Sequence, residues 1–136
     1  MKLFPGKWNG FGGKVEKGEN SLQGAIREVK EECGLDLNPC DVVQLGLIHF
    51  EYENNPIHIE GHIFEVQNYS GEIIESEEMA PIKWFKITEI PYDKMWKDAA
   101  IWHPYIFQQQ KFKSYFLYNN LGDEILMHKS TPVESL

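Results

Sequence analysis

Apolar positions along this chain change spacing several times, and each spacing predicts an element. Between residues 21 and 33, Leu22, Ala25, Ile26, Val29 and Cys33 recur at helical intervals and form one apolar stripe. Asn20 followed three residues later by Gln23 has capping-box spacing, and Gly34 suits the left-handed position that ends a helix. Runs at 42–50, 57–66 and 82–87 read as strands, separated by turn-rich pieces such as Glu53, Asn54, Asn55 and Pro56. A second helix is expected over 99–110, with Pro104 tolerable only near its first turn. The tail reads as a hairpin of 112–118 and 124–128, turned at 119–123. Strands and helices interleave, so the expected class is α/β or α+β with a mixed sheet.

No repeat, low-complexity tract or linker breaks the sequence, and 136 residues fit a single domain over 1–136. Lys and Arg total 13 against 21 Asp and Glu, a net charge of -8. That balance excludes a nucleic-acid polymer or an anionic membrane as the main partner, because both require a basic surface. A small phosphate compound remains open if a metal ion supplies positive charge. Cys33 and Cys40 match neither a redox pair nor a zinc set, and the N-terminus carries no apolar signal core. The expectation is a reduced, cytoplasmic chain that acts as a monomer on a small molecule.

Two features call for chemistry. The segment 6–18 holds Gly6, Gly10, Gly12, Gly13 and Gly18, a density that marks backbone approaching something closely. The end of the first helix holds Arg27, Glu28, Glu31 and Glu32. Glu28 and Glu32 are four apart and share a face, where like charges cost a few tenths of a kcal/mol. The helix dipole disfavours them there by roughly 0.3–1 kcal/mol each, and Arg27 and Lys30 offset only part of this. A solvated acidic face is one reading. The other is a divalent cation held by converging carboxylates, with Mg²⁺ bridging hard oxygens to substrate phosphates.

Written out, the segment is Gly13, five residues, Glu19, seven residues, then Arg27, Glu28, Val29, Lys30, Glu31, Glu32, Cys33, Gly34, Leu35. It resembles the Nudix box at every defining position, a coincidence of order 10⁻⁸ per starting position by composition. The resemblance implies a Nudix hydrolase, an α/β/α sandwich with a mixed sheet in which a loop-helix-loop holds Mg²⁺ or Mn²⁺ while water attacks a diphosphate. By that likeness Glu28, Glu31 and Glu32 serve as metal-site and catalytic carboxylates, Arg27 orients them, Glu19 braces the loop and the Gly12 backbone joins the metal set.

The similarity runs on through 7–14, 75–79 and 94–98 to the animal MutT-homologue type. It implies hydrolysis of oxidised purine nucleoside triphosphates such as 8-oxo-dGTP to the monophosphate and pyrophosphate, which clears damaged nucleotides from the pool. Asn9 would bond the purine edge, Trp96 stack on the ring and Asp98 pair with base N–H groups. Phe50, Tyr52, Met79, Trp102 and Tyr118 match wall positions, and Glu78 matches a further metal-site or general-base position. Phe11, Gly12, Gly13 and Lys14 of the loop, with Lys2 and Phe4, complete the substrate set. Read from the residues alone, each aromatic is more often core than pocket, and Asp98 is as readily the cap of the second helix. The chain departs from the pattern twice. Ala99 stands where the family has a second aspartate, and the first N-terminal strand is expected to be lacking. Another nucleotide substrate, or a catalytically silent nucleotide-binding module, are the alternative readings.

Overall fold

The computed structural model describes Gly10, residues 15–76 and residues 81–136. The expected roles of Lys2, Phe4, Asn9, Phe11, Gly12, Gly13, Lys14, Glu78 and Met79, and the expectation of a lacking N-terminal strand, lie outside the described residues. The chain divides into two compact units, one of residues 1–43 with 66–94 and one of residues 44–65 with 95–136.

The first unit is organised by helix α1, Ser21–Cys33. The capping box forms as the spacing requires: Asn20 Oδ1 accepts from the Gln23 N–H at 2.8 Å, and Gln23 Oε1 accepts from the Asn20 N–H at 2.9 Å. Such a cap contributes about 1 kcal/mol by satisfying donors the helix cannot. Gly34 ends α1 at φ 85° and its N–H donates to the Lys30 carbonyl. Cys33 and Leu35 are buried on either side of this stop. Asp36 then pairs with Ser70 through reciprocal backbone bonds of 2.9 and 3.0 Å, and the Ile74 N–H donates to the Cys33 carbonyl at 2.7 Å.

A four-stranded sheet in the order β2-β1-β3-β4 is built from β1 Val42–Tyr52, β2 Asn55–Val66, β3 Phe112–Tyr118 and β4 Ile125–Pro132. Strand β1 runs parallel to β3, and β3 antiparallel to β4, so the sheet is mixed as expected. Ile48, Phe112, Phe116 and Tyr118 form the buried centre of the second unit. Directly opposed residues carry it: Phe50 stacks on Phe116, and Tyr52 on Tyr118, each pair at 5.8 Å between ring centroids. Helix α2, Ala99–Phe107, lays Ile101, Trp102, Tyr105 and Ile106 on this centre, with Tyr105 and Trp102 both stacked on Phe112.

Four expectations are corrected. The segment 82–87 is not a strand, because among the described residues no strand lies beside it; Trp84 instead turns onto Tyr69 at 5.7 Å. Helix α2 stops at Phe107 rather than 110, since Gln109 takes the left-handed φ of 55° and the Gln110 N–H reaches back to the Tyr105 carbonyl. Pro104 stands in the second turn of α2, not the first. The turn between β1 and β2 is only Glu53 and Asn54, with Asn54 at φ 58°, and Pro56 falls inside the edge strand β2, where a missing donor is tolerated.

Candidate active site

In the first unit, one guanidinium gathers the acidic residues around α1. Glu19 lies one residue ahead of the cap, and its Oε1 accepts from the Glu16 N–H at 2.8 Å. Arg27 reaches back eight residues along the helix to the same carboxylate. Its Nη2 is 2.9 Å from Glu19 Oε1, and its Nε is 3.2 Å from both Glu19 oxygens. Nη1 meanwhile donates to Glu28 Oε1 and Glu31 Oε2, each at 3.0 Å. The planar fork of arginine suits such simultaneous contacts, and a lysine could not supply them.

Burial separates the carboxylates. The Glu19 and Glu28 side chains are each 16% exposed while Glu31 is 58% exposed. Hydrogen bonds from Arg27, then from the Glu16 backbone, hold the Glu19 carboxyl below its ordinary range. The same bond from Glu19 keeps Arg27 protonated well past any working pH. Lys30 takes no part in this cluster; it pairs with Asp36 at 3.0 Å and reaches the Gly34 carbonyl. Relief of the crowded anions therefore comes from Arg27.

Gly24 is a residue that periodicity did not single out. It is buried in α1, and a Cβ built there would meet Glu19 Oε1 at 3.0 Å. A helix-interior glycine costs about 1 kcal/mol against alanine, and here it lets the Glu19 carboxylate lie across the helix. That cost was the available signal: a glycine at an apolar position with no turn to explain it.

In the second unit, Asp98 is 7% exposed. It does not cap α2 with its side chain. Its Oδ2 instead accepts from Trp102 Nε1 at 2.8 Å, and its Oδ1 accepts from the Tyr118 hydroxyl. The Asp98 N–H donates to the Tyr118 oxygen at 3.1 Å, which closes a ring between the two residues. Trp96 stands edge-on to Tyr118 at 6.2 Å. Burial, and then the Asp98 charge, push the phenols of Tyr118 and Tyr52 up and keep both protonated. Burial also pushes the His103 imidazole down, against the pull of Asp98. Tyr52, Trp96, Asp98, Trp102 and Tyr118 thus share one neighbourhood, while Phe50 is spent on Phe116. The sequence marks Tyr118 and Trp102 as walls; it does not show that their polar atoms hold Asp98.

A family model for the NUDIX domain matches residues 2–106. The chain belongs to the Nudix family. Its Nudix relatives include an "Oxidized purine nucleoside triphosphate hydrolase" of Danio rerio, 44% identical over 131 residues, 96% of this chain and 81% of that protein. A protein of the same name from Mus musculus is 40% identical over 130 residues, with the same coverage of 96% and 81%. A solved structure of a mutator MutT protein from Bacillus halodurans superposes with a TM-score of 0.81 at 22% identity, covering 92% of this chain and 82% of that one, and shows the fold.

Nudix hydrolases generally use a divalent metal, and the carboxylates of α1 fit one. Arg27 engages Glu28 at Oε1, Glu32 follows one helical turn further on, and both are carboxylates, the hard oxygen donors such a cation takes. Among the described residues no three His, Cys, Asp or Glu side chains gather as a complete metal group. Gly12 and Glu78, expected to contribute, are outside the described residues.

Proposed function

We propose that this chain hydrolyses oxidised purine nucleoside triphosphates to the monophosphate and pyrophosphate. Support comes from its Nudix membership and from relatives bearing that name at 44% and 40% identity. The observation that carries the chemistry is the Glu19–Arg27–Glu28 chain of contacts, which holds a carboxylate in place at the end of α1. Glu28 and Glu32, with Glu31, Glu78 and the Gly12 carbonyl, are the proposed metal set. Mg²⁺ is the proposed ion and Mn²⁺ its substitute; when bound, it neutralises phosphate charge and acidifies a water. Arg27 orients Glu28, and Glu19 keeps Arg27 from swinging to solvent.

For the base, Trp96 with Tyr52 and Tyr118 supplies aromatic surface, at roughly 1–3 kcal/mol per stacked base. Asp98 supplies buried acceptors for base N–H groups, and Asn9 is a further proposed hydrogen-bond partner of the purine edge. The proposed protein is monomeric and cytosolic and binds no nucleic-acid polymer. No helix among the described residues is long and apolar enough to cross a membrane. Cys33 and Cys40 are both free thiols.

A pyrophosphate-release assay on 8-oxo-dGTP, 2-oxo-dATP and dGTP with Mg²⁺ tests the reading. Turnover with preference for an oxidised purine is the expected result. No turnover of any of the three refutes it.

A further inference from the structure

We propose that His49, His58 and Glu60 form a binding site for a borderline divalent cation of the Zn²⁺ class. The site uses none of the residues assigned to hydrolysis, so it stands or falls independently of the hydrolase reading.

The sheet brings these groups to one face. Side chains alternate along a strand, so His49 and Glu51 of β1 point away from Phe50 and Tyr52, and His58, Glu60 and His62 of β2 share a face in the same way. The turn of Glu53 and Asn54 folds β2 back beside β1, while Tyr115 of β3 lies opposite His49 in register. Across the hairpin His49 Nδ1 and His58 Nε2 stand 3.2 Å apart, with their rings nearly perpendicular at 88°. Two nitrogens bound to one tetrahedral zinc at about 2.0–2.1 Å are separated by about 3.3–3.4 Å, so the pair already stands at ligand spacing. Imidazole suits Zn²⁺, Cu²⁺ and Ni²⁺, whereas Mg²⁺ takes oxygen.

Outer contacts orient each ligand. Glu51 Oε1 lies 3.5 Å from His58 Nδ1, which favours the hydrogen on that nitrogen and leaves the Nε2 lone pair directed at His49. Glu51 is held in turn through Oε2, which accepts from the Tyr115 hydroxyl at 3.0 Å, and that bond pushes the phenol up and keeps its hydrogen in place. On β2 the chain of donors runs the other way. The Gln44 amide nitrogen can only donate, so His62 Nδ1 accepts it at 2.9 Å, and His62 Nε2 carries the hydrogen given to Glu60 Oε1, also at 2.9 Å. Glu60 is left with Oε2, 4.0 Å from His49 Nδ1. No three such ligands stand at full metal spacing among the described residues, and Glu60 supplies the third by a small rotation of its side chain onto the cation. Both rings are accessible to solvent, so a cation reaches the pair and water fills its fourth position. A hydrogen bond between two imidazoles explains the pair alone; it does not explain a braced carboxylate on either side of it.

The test is isothermal titration of Zn²⁺ into the full chain, with Mg²⁺ in excess to occupy oxygen-only sites. The wild type is expected to bind one Zn²⁺ per chain and to gain thermal stability from it, because the cation joins β1 to the edge strand β2. Binding is expected to weaken by about tenfold or more in His49→Gln, His58→Gln and Glu60→Gln, each checked for folding by circular dichroism, with Mg²⁺-dependent pyrophosphate release unchanged. Glu51→Gln, which removes an outer contact and no ligand, is expected to weaken binding by about tenfold and serves if a histidine variant does not fold. Absence of Zn²⁺ binding in the wild type, or equal affinity in the wild type and the folded variants, overturns the site and leaves the hydrolase reading as it stands.

Discussion

Arg27 binds Glu19 across eight residues of sequence, with Nη2 2.9 Å from Oε1, and places its other terminal nitrogen 3.0 Å from Glu28. Glu19 therefore governs the orientation of a carboxylate it does not touch. Outer contacts of this kind are worth about 10- to 100-fold in metal affinity or activity. Glu19→Gln is expected to weaken Mg²⁺-dependent turnover within that range while α1 keeps its helicity by circular dichroism. Unchanged turnover would show that Arg27 needs no anchor.

The Arg27–Glu19 contact also sets a direction with pH. The Glu19 carboxyl is held below its ordinary value of 4.5 by the bond from Arg27, then by the Glu16 N–H. A carboxyl depressed on folding contributes stability that is fully present above the unfolded value and is lost as pH falls through the folded one. Thermal unfolding midpoints are expected to drop below about pH 4.5 in the wild type, and to drop less in Glu19→Gln. Parallel drops in the two proteins would contradict the assignment.

Gly24→Ala separates stability from activity. Alanine improves helix propensity by about 1 kcal/mol, yet its Cβ would stand 3.0 Å from the Glu19 carboxylate that Arg27 pins. The expected outcome is a midpoint in urea changed by little and a turnover lowered severalfold. A variant with full turnover would show that the carboxylate moves aside freely.

Much of this could be read in advance, and the reasons are local. The caps of α1, its apolar stripe and the strands around 42–50, 57–66 and 112–118 depend on neighbours a few residues apart. The glutamates and arginine of the Nudix box were legible for the same reason. The failures are tertiary. Residues 82–87 have the apolar and aromatic content of a strand, but a strand needs a partner that composition cannot supply. Strand β4 runs on to Pro132 through Lys129, Ser130 and Thr131, because Phe112 pairs with Pro132 and the Ser130 hydroxyl meets Ser114 at 2.7 Å. Asp98 preceding a helix looks like a cap; only the fold brings Tyr118, twenty residues on, to claim its carboxylate.

The core offers a stability test independent of function. Gly46 faces Phe112 across β1 and β3, and a Cβ there would sit 2.3 Å from the ring's Cζ. Phe112 is fully buried and stacked by Tyr105 and Trp102, so it cannot withdraw. Overpacking of this kind costs about 1–3 kcal/mol or more, and Gly46→Ala is expected to lower unfolding free energy in urea by that amount. A loss under about 0.5 kcal/mol would mean the ring yields.

The carboxylates at the end of α1 are proposed to hold the cation on which hydrolysis depends. The most direct measurement is isothermal titration of Mg²⁺ and Mn²⁺ into wild type and Glu28→Gln, each in the presence of a non-hydrolysable nucleotide triphosphate, beside pyrophosphate release by the same preparations. Metal binding in the wild type, its loss in Glu28→Gln, and turnover lower by about a hundredfold or more in the folded variant are expected. Equal metal binding and equal turnover in the two proteins would contradict it.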